Sequence, residues 1–203
     1  DKSLLPEKLT GKKYYTKNLV NTNGNKSIKL LPASGRLIAD VVPVITHRKY
    51  IYFTDKDDYT SENGVKFYHK TTGKEIINFP KHHYDNGVAK HSEKTPKMFK
   101  PVVRVFKNLR SFLIEKKLID KDLAPSYFLQ SLIYNVPDEN FVNSLDTSVY
   151  NVLKHLYQNP IDAFVCQNEK HNVFGDTQEQ WNLTNAANFI KEAVKLWDNW
   201  GKL

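Results

Sequence analysis

Residues 36–45 read Arg-Leu-Ile-Ala-Asp-Val-Val-Pro-Val-Ile and place one carboxylate, Asp40, inside an otherwise apolar stretch. Side chains alternate between the two faces of a strand, so Asp40 shares its face with aliphatic residues, Ile38, Val42 and Val44. An unpaired carboxylate is costly to bury. We therefore expect Asp40 either to bind a divalent cation or to form a structural ion pair with a nearby lysine or arginine.

The composition is that of a folded protein. The 203 residues are 40% hydrophobic and 12% aromatic, enough for one good-sized core or two small ones. No apolar run approaches the roughly 20 residues of a membrane span, and no signal peptide is visible, so we expect a cytoplasmic location and no membrane partner. The single cysteine, Cys166, excludes an internal disulfide. Neither it nor His171 has zinc-ligand spacing, so both are interpreted as structural.

The net charge of +8 suits polyanionic partners, either nucleoside triphosphates or nucleic acid. The chain begins with Asp1 and its only methionine is Met98, so we expect a cleaved or truncated piece of a longer protein. The sequence does not indicate an oligomeric state.

The order of elements predicts an α+β fold, because strand patterns come first and helical patterns second. Residues 26–31 and the Asp40 segment are expected to be antiparallel neighbours joined by a turn. Residues 78–94 are expected to be irregular, and the helices to begin near Thr95. The predicted division is therefore a β-rich part over residues 1–94 and a helical part over residues 95–203.

Three cations share one face of the first predicted helix. Lys100, Arg104 and Lys107 are spaced by four and then three residues, which places them within about 60° of one another. Such a cluster could hold a triphosphate near a metal ion bound by Asp40. The alternative is an ordinary solvated surface.

Two further candidates begin the second predicted helix. Amides and a hydroxyl at a helix N-terminus bind phosphate, which suits Ser126, and an aromatic ring can stack on a base, which suits Tyr127. Taken alone, a tyrosine in this position is more often a core residue.

A resemblance to a known family rests on short motifs that occur in order between Lys26 and Trp200. The motifs are Ala-Asp-Val-Val-Pro-Val at 39–44, Ile-Asn-Phe-Pro-Lys at 77–81, Asn86-Gly87 with Lys90, Phe-Lys-Pro-Val-Val-Arg-Val-Phe-Lys-Asn at 99–108, Pro-Ser-Tyr-Phe at 125–128 and Tyr-Asn-Val-Pro at 134–137. With these motifs the chain resembles the DncV-like branch of the nucleotidyltransferase superfamily, the bacterial relatives of cyclic GMP-AMP synthase and 2′-5′-oligoadenylate synthetase.

The resemblance implies an enzyme that uses Mg²⁺ or Mn²⁺, bound by three acidic residues of a palm sheet. In that family ATP or another nucleoside triphosphate is joined to a second nucleotide with loss of pyrophosphate. Bacterial members make cyclic or short linear nucleotides that activate an effector during phage infection. The implied fold is a partial nucleotidyltransferase palm followed by a C-terminal helical bundle.

The resemblance also implies roles for four residues. Asp40 matches the third acid, which binds metal and activates the acceptor hydroxyl. Lys107 matches the helix lysine that contacts the donor triphosphate. Ser126 matches the phosphate-binding serine, and Tyr127 matches the aromatic residue that stacks on a base.

The chain departs from the family pattern before Asp40, where it has neither the Gly-Ser loop nor the paired acids that provide the first two metal ligands. Residues 55–57 and 120–122 have acid-x-acid spacing but follow Asp40, and we interpret both as solvated loops. We therefore expect the C-terminal part of such an enzyme, inactive on its own. The alternatives are a noncatalytic nucleotide- or nucleic-acid-binding module and a subunit completed by a separate chain.

Overall fold

The computed structural model describes residues 19–33, 37–177 and 179–200. The chain divides into two compact units, residues 1–79 and residues 80–203, each described here by itself. Within the described residues, the first unit contains two three-stranded antiparallel sheets and the second is built of helices. The predicted α+β class is confirmed.

The first sheet has the strand order β1-β2-β3. Its strands are β1 (Val20–Asn21), β2 (Ile28–Leu30) and β3 (Ala39–Val41). β2 and β3 are antiparallel, which confirms the prediction that they are neighbours. β2 buries Ile28 and Leu30 and exposes the residue between them, as strand alternation requires.

The expectation that Asp40 lies on a buried aliphatic face is wrong. Asp40 is exposed in β3 and accepts a hydrogen bond from Ser27 Oγ at 3.2 Å. The reason is the register, because Asp40 lies directly opposite Lys29. Residues opposite each other in a ladder point to the same face. Lys29 lies on the exposed face of β2, so Asp40 also faces away from Ile28 and Leu30.

The second sheet is the antiparallel meander β4-β5-β6. Its strands are β4 (Ile45–Phe53), β5 (Tyr59–Tyr68) and β6 (Glu75–Asn78). The β4–β5 turn contains one of the acid-x-acid sequences. Asp55 Oδ1 accepts hydrogen bonds from the N–H groups of Asp57 and Asp58 at 2.8 and 3.0 Å, and the turn is exposed. The interpretation of residues 55–57 as a solvated turn is therefore confirmed.

The helical unit begins earlier than the sequence predicted. Helix α1 (Pro80–Ala89) is followed directly by a π-helical segment (Lys90–Lys94), so residues 80–94 are helical rather than irregular. These residues pack on the helical unit, because Asn86 Nδ2 donates to the carbonyl of Gln167 at 2.9 Å and Lys90 Nζ to Asp138 Oδ1 at 2.5 Å. The structural division consequently lies at 79/80 and not at the predicted 94/95.

Four further helices complete the described part of this unit: α2 (Phe99–Glu115), α3 (Ser126–Tyr134), α4 (Leu145–Gln158) and α5 (Leu183–Asp198), with a 3-10 turn at Asp138–Asn140. The apolar stripe of α2 is buried at the centre of the core, and Val102 and Phe106 are fully inaccessible. Met98 precedes α2 without a capping side chain. Thr95, near which the sequence predicted the helices to begin, accepts a hydrogen bond on its Oγ1 from Phe99 N at 3.2 Å.

Within the described residues, no helix is both long enough and apolar enough to cross a membrane.

Candidate functional site

The predicted cationic face is present on α2. Lys100 and Arg104 are exposed, and Lys107 is partly buried. None of the three forms an ion pair with any other described residue, whereas five other lysines do. This part of α2 therefore carries uncompensated positive charge, which favours an anionic ligand.

His91 lies beside the start of this cationic face. Its Nδ1 accepts a hydrogen bond from the backbone N–H of Lys100 at 3.5 Å. Burial lowers the pKa of His91, and the nearby cations Lys100, Lys97 and Arg104 lower it further. The imidazole is therefore held neutral, and these cations define the charge of this region.

Lys107 connects the cationic face to helix α3. Its Nζ donates a hydrogen bond to Gln130 Oε1 at 3.2 Å. Gln130 lies about one helical turn after Ser126, the first residue of α3. Burial lowers the pKa of Lys107. The Lys107 contact therefore links the cationic face of α2 to the middle of α3.

Tyr127 is 38% exposed and is not a core residue. Its ring stacks on the imidazole of His83, with centroids 5.2 Å apart and planes 20° apart. Burial of the hydroxyl raises the pKa of Tyr127, and the Cys166 thiol adds to the effect. Tyr127 is therefore a neutral phenol whose ring orientation is fixed by His83.

Ser126 is exposed at the first position of α3, directly after the cap residue Pro125. The first turn of α3 contains no acidic residue. The first N–H groups of a helix lack partners within that helix and attract anions. Ser126 is thus placed where a hydroxyl and amides could hold a phosphate oxygen.

The sequence analysis missed three residues that organise this region: His83, Gln130 and Gln167. Gln167 is fully buried and is the centre of the group. Gln130 Nε2 donates to Gln167 Oε1 at 3.1 Å, and Gln167 Nε2 donates to the carbonyl of His83 at 2.5 Å. Polar residues far apart in sequence give no periodic signal, so no sequence pattern pointed to them.

Cys166 belongs to the same region and is buried. Its Sγ lies 3.7 Å from the carbonyl oxygen of Asn172, and burial raises the pKa of the thiol. These contacts are those of a structural cysteine.

Asp40 lies in the other unit, and its exposed carboxylate provides a hard oxygen ligand of the type that Mg²⁺ prefers. Among the described residues, no group of three or more His, Cys, Asp or Glu side chains could hold a metal ion. The role of Asp40 as a ligand to such an ion therefore stays a prediction. A two-metal centre requires additional carboxylates.

Comparison with known proteins identifies the helical unit. The model of the cGAS/DncV-like nucleotidyltransferase C-terminal helical domain matches residues 85–198. The chain is 42% identical over 181 residues to the cyclic nucleotide synthase CdnE01 of Staphylococcus haemolyticus, an alignment that covers 87% of this chain and 59% of that protein.

Two solved structures are similar over nearly the whole chain. The Rhodothermus marinus CdnE c-UMP-AMP synthase with Apcpp and Upnpp has a TM-score of 0.85 at 38% identity, covering 98% of this chain and 65% of that one. The Elizabethkingia meningoseptica CdnE cyclic dinucleotide synthase with GTP and Apcpp has a TM-score of 0.79 at 28% identity, covering 98% and 70%.

The chain spans 59% and 64% of the lengths of the Staphylococcus and Rhodothermus relatives. The family model covers more than half of the chain, and the residues that match it are the helices that carry Lys100, Lys107 and Tyr127. The protein is therefore a member of the cGAS/DncV-like nucleotidyltransferase family, and residues 85–198 are its C-terminal helical domain.

Proposed function

We propose that this chain is the nucleotide-binding C-terminal part of a nucleotidyltransferase that joins nucleoside triphosphates into a cyclic or short linear oligonucleotide. The observation that carries the proposal is the uncompensated cationic face of α2 beside the partly exposed, oriented ring of Tyr127. The similarity to two cyclic nucleotide synthases solved with triphosphates or their analogues supports it.

Each group has a distinct task in this proposal. Lys100, Arg104 and Lys107 neutralise the triphosphate, because phosphoryl transfer depends on cations placed around the transferring group. Ser126 and the adjacent amides hold a phosphate oxygen, and Tyr127 stacks on the base.

Asp40 has the remaining task, which is to hold the metal and accept the proton of the acceptor hydroxyl. The hydroxyl oxygen then bonds to the α-phosphorus, and the bond from that phosphorus to pyrophosphate breaks. When bound, Mg²⁺ or Mn²⁺ supplies Lewis-acid neutralisation of the phosphate oxygens. For the intact parent we propose a second-messenger role in defence against phage.

A direct test measures ATP binding and turnover with the 203-residue chain. We expect saturable binding of a fluorescent ATP analogue that unlabelled ATP displaces. We also expect no oligonucleotide product from α-³²P-labelled ATP and UTP with Mg²⁺, because among the described residues no group of three or more His, Cys, Asp or Glu side chains could hold a metal ion. The intact parent should form product under the same conditions.

Two results would contradict this assignment. A chain that is folded by circular dichroism but binds no ATP would remove the nucleotide-binding role. Product made by the isolated chain and unaffected by Asp40→Ala would show that Asp40 is not a metal ligand of the reaction.

A noncatalytic nucleic-acid-binding module is the second candidate, favoured by the exposed cations around His91, namely Lys94, Lys97, Lys100 and Arg104. The affinity for nucleic acid held through many phosphates falls steeply with added salt. The logarithm of the binding constant falls by about 0.9 per duplex phosphate contact for each tenfold rise in salt. A nucleotide held by two or three groups loses much less affinity. Titrations with ATP and with an RNA duplex, each at about 50 and about 200 mM salt, separate the two functions.

A further inference from the structure

A chain of hydrogen bonds connects the candidate phosphate-binding and base-binding groups of the helical unit. Lys107 Nζ donates to Gln130 Oε1 at 3.2 Å. Gln130 Nε2 lies 3.3 Å from His83 Nε2 and 3.1 Å from Gln167 Oε1. His83 in turn stacks on Tyr127. Gln130 is therefore hydrogen-bonded to Lys107 on one side of this arrangement and to His83 and Gln167 on the other.

The orientation of the Gln130 amide follows from its neighbours. A carbonyl oxygen only accepts, so Gln167 must direct its Nε2 toward the carbonyl of His83 and its Oε1 toward Gln130. Gln130 must therefore present Nε2 to Gln167, which leaves Oε1 for the ammonium of Lys107. The flipped amide would place a donor against Lys107, which only donates.

The same logic assigns the proton of the neutral His83 ring. Because Gln130 presents an N–H to His83 Nε2, that nitrogen accepts and the ring proton lies on Nδ1. Nδ1 is buried without a hydrogen-bond partner among the described residues. Burial and the charge of Lys107 lower the pKa of His83, which favours the neutral ring.

We propose that Gln130 is a positioning residue of the nucleotide site: it holds the ammonium of Lys107 and locks the neutral His83 ring against Tyr127. The proposal rests on the proposed function, because Lys107 and Tyr127 are the groups that would touch the triphosphate and the base. Gln130 acts through these two residues, so the phosphate-binding and base-stacking groups are set in one arrangement before a nucleotide arrives.

The first test reads the proton position directly and needs no ligand. Long-range ¹H–¹⁵N correlation spectra of the 203-residue chain at pH 7.5 should show His83 protonated on Nδ1. In Gln130→Leu the amide that fixes this tautomer is absent, and His83 should shift toward the Nε2-protonated form. A wild-type His83 that is protonated on Nε2 would overturn the proposal.

The second test compares the affinities of ATP and AMP in matched variants. Gln130→Leu removes the acceptor of Lys107, and Gln130→Glu neutralises Lys107 with an ion pair. Each variant should weaken ATP binding by about tenfold, which is the change in affinity expected when one charge-assisted hydrogen bond is lost. Each should weaken AMP binding less. Gln158→Leu, at an exposed position of α4, should change neither affinity.

The outcomes separate this inference from the proposed function. ATP binding by the wild type with unchanged ATP and AMP affinities in both Gln130 variants would overturn the positioning role. Equal loss of ATP and AMP affinity would also overturn it, since the contact of Gln130 with Lys107 would then contribute nothing to triphosphate binding. A wild-type chain that binds no ATP overturns the proposed function, whereas the His83 tautomer still decides whether the arrangement itself is right.

Discussion

Lys107 combines partial burial with a charge that no described carboxylate compensates. Burial already lowers the pKa of its ammonium, so an arriving phosphate restores favourable electrostatics that the protein alone does not provide. Exposed lysines differ, because water and salt screen their charge. At the scale of single residues, Lys107 is therefore the cation from which most binding energy is expected.

Replacement of Lys107 tests this expectation. Lys107→Ala should weaken ATP binding by about 10- to 100-fold, since a charge-assisted hydrogen bond contributes about 1.5–3 kcal/mol. The matched control is Lys154→Ala, at an exposed position of α4. Titrations with a fluorescent ATP analogue at fixed ionic strength give both affinities, and equal values for the two variants would show that Lys107 is not a phosphate contact.

Gly87 is a second residue at which the size of the side chain matters. It is buried in α1, and a Cβ atom there would clash with Nε2 of Gln167. In Gly87→Ala the Gln167 side chain must move, which breaks its hydrogen bonds to His83 and Gln130.

We expect Gly87→Ala to lower the free energy of unfolding by about 1–3 kcal/mol, the cost of a lost buried hydrogen bond with overpacking. Urea denaturation followed by circular dichroism measures the change. The control, Tyr84→Ala, replaces an exposed side chain on the same helix and should change stability by about 0.5 kcal/mol or less. A Gly87→Ala protein as stable as the wild type would show that the packing of Gln167 against α1 is not required.

At the scale of elements, the π-helical segment Lys90–Lys94 is attached to the core through Lys90. Lys90 is 5% exposed, and its Nζ donates to Asp138 Oδ1 at 2.5 Å and to the carbonyl of Val136 at 2.8 Å. The same ammonium lies over the ring of Phe141 at 5.1 Å. Burial lowers the pKa of Lys90, although its contact with Asp138 opposes that shift.

Removal of this ammonium should release the segment. Lys90→Met keeps the length of the side chain but leaves Asp138 and the Val136 carbonyl without their donor, at a cost of about 1–3 kcal/mol in unfolding free energy. Lys94→Met changes an exposed residue of the same segment and should have little effect. Hydrogen exchange of residues 86–94 should accelerate in Lys90→Met alone, and unchanged protection would contradict this anchoring role.

At the scale of the whole molecule, two histidines contribute to the dependence of stability on pH. The pKa of both His83 and His91 is lowered in the folded protein, in each case mainly by burial. The unfolded chain therefore binds protons that the folded chain does not, beginning near pH 6.5, the usual histidine value. Their contribution is fully present above that pH and is lost as pH falls through the lowered folded values.

We expect the urea midpoint of the wild type to be lower at about pH 5.5 than at pH 7.5, because the linkage acts below the usual histidine pKa. The double variant His83→Gln/His91→Gln should show a smaller fall, because neutral glutamine binds no proton in either state. The two proteins are compared at pH 7.5 as well, so that any loss of packing is measured separately. Equal falls in both proteins would mean that other groups cause the acid sensitivity.

Local patterns in the sequence determined a large part of this protein. The helical spacing of apolar residues indicated α2, and the spacing of Lys100, Arg104 and Lys107 indicated its cationic face, because both depend only on the 3.6-residue helical period. The ordered motifs indicated the family, which the match over residues 85–198 confirms. The pairing of β2 with β3 followed from the turn between two short strand patterns.

Only the tertiary structure decided which residues support the site and which are buried. Asp40 is exposed because the register places it opposite Lys29, and strand alternation alone does not say which face is covered. Residues 80–94 are helical because contacts with residues 136–138 and 167 hold them, although their own composition is polar. Gln130 meets Lys107, His83 and Gln167 across gaps of 23 to 47 residues. Contacts at such separations are set by how the helices pack, and no local period encodes them.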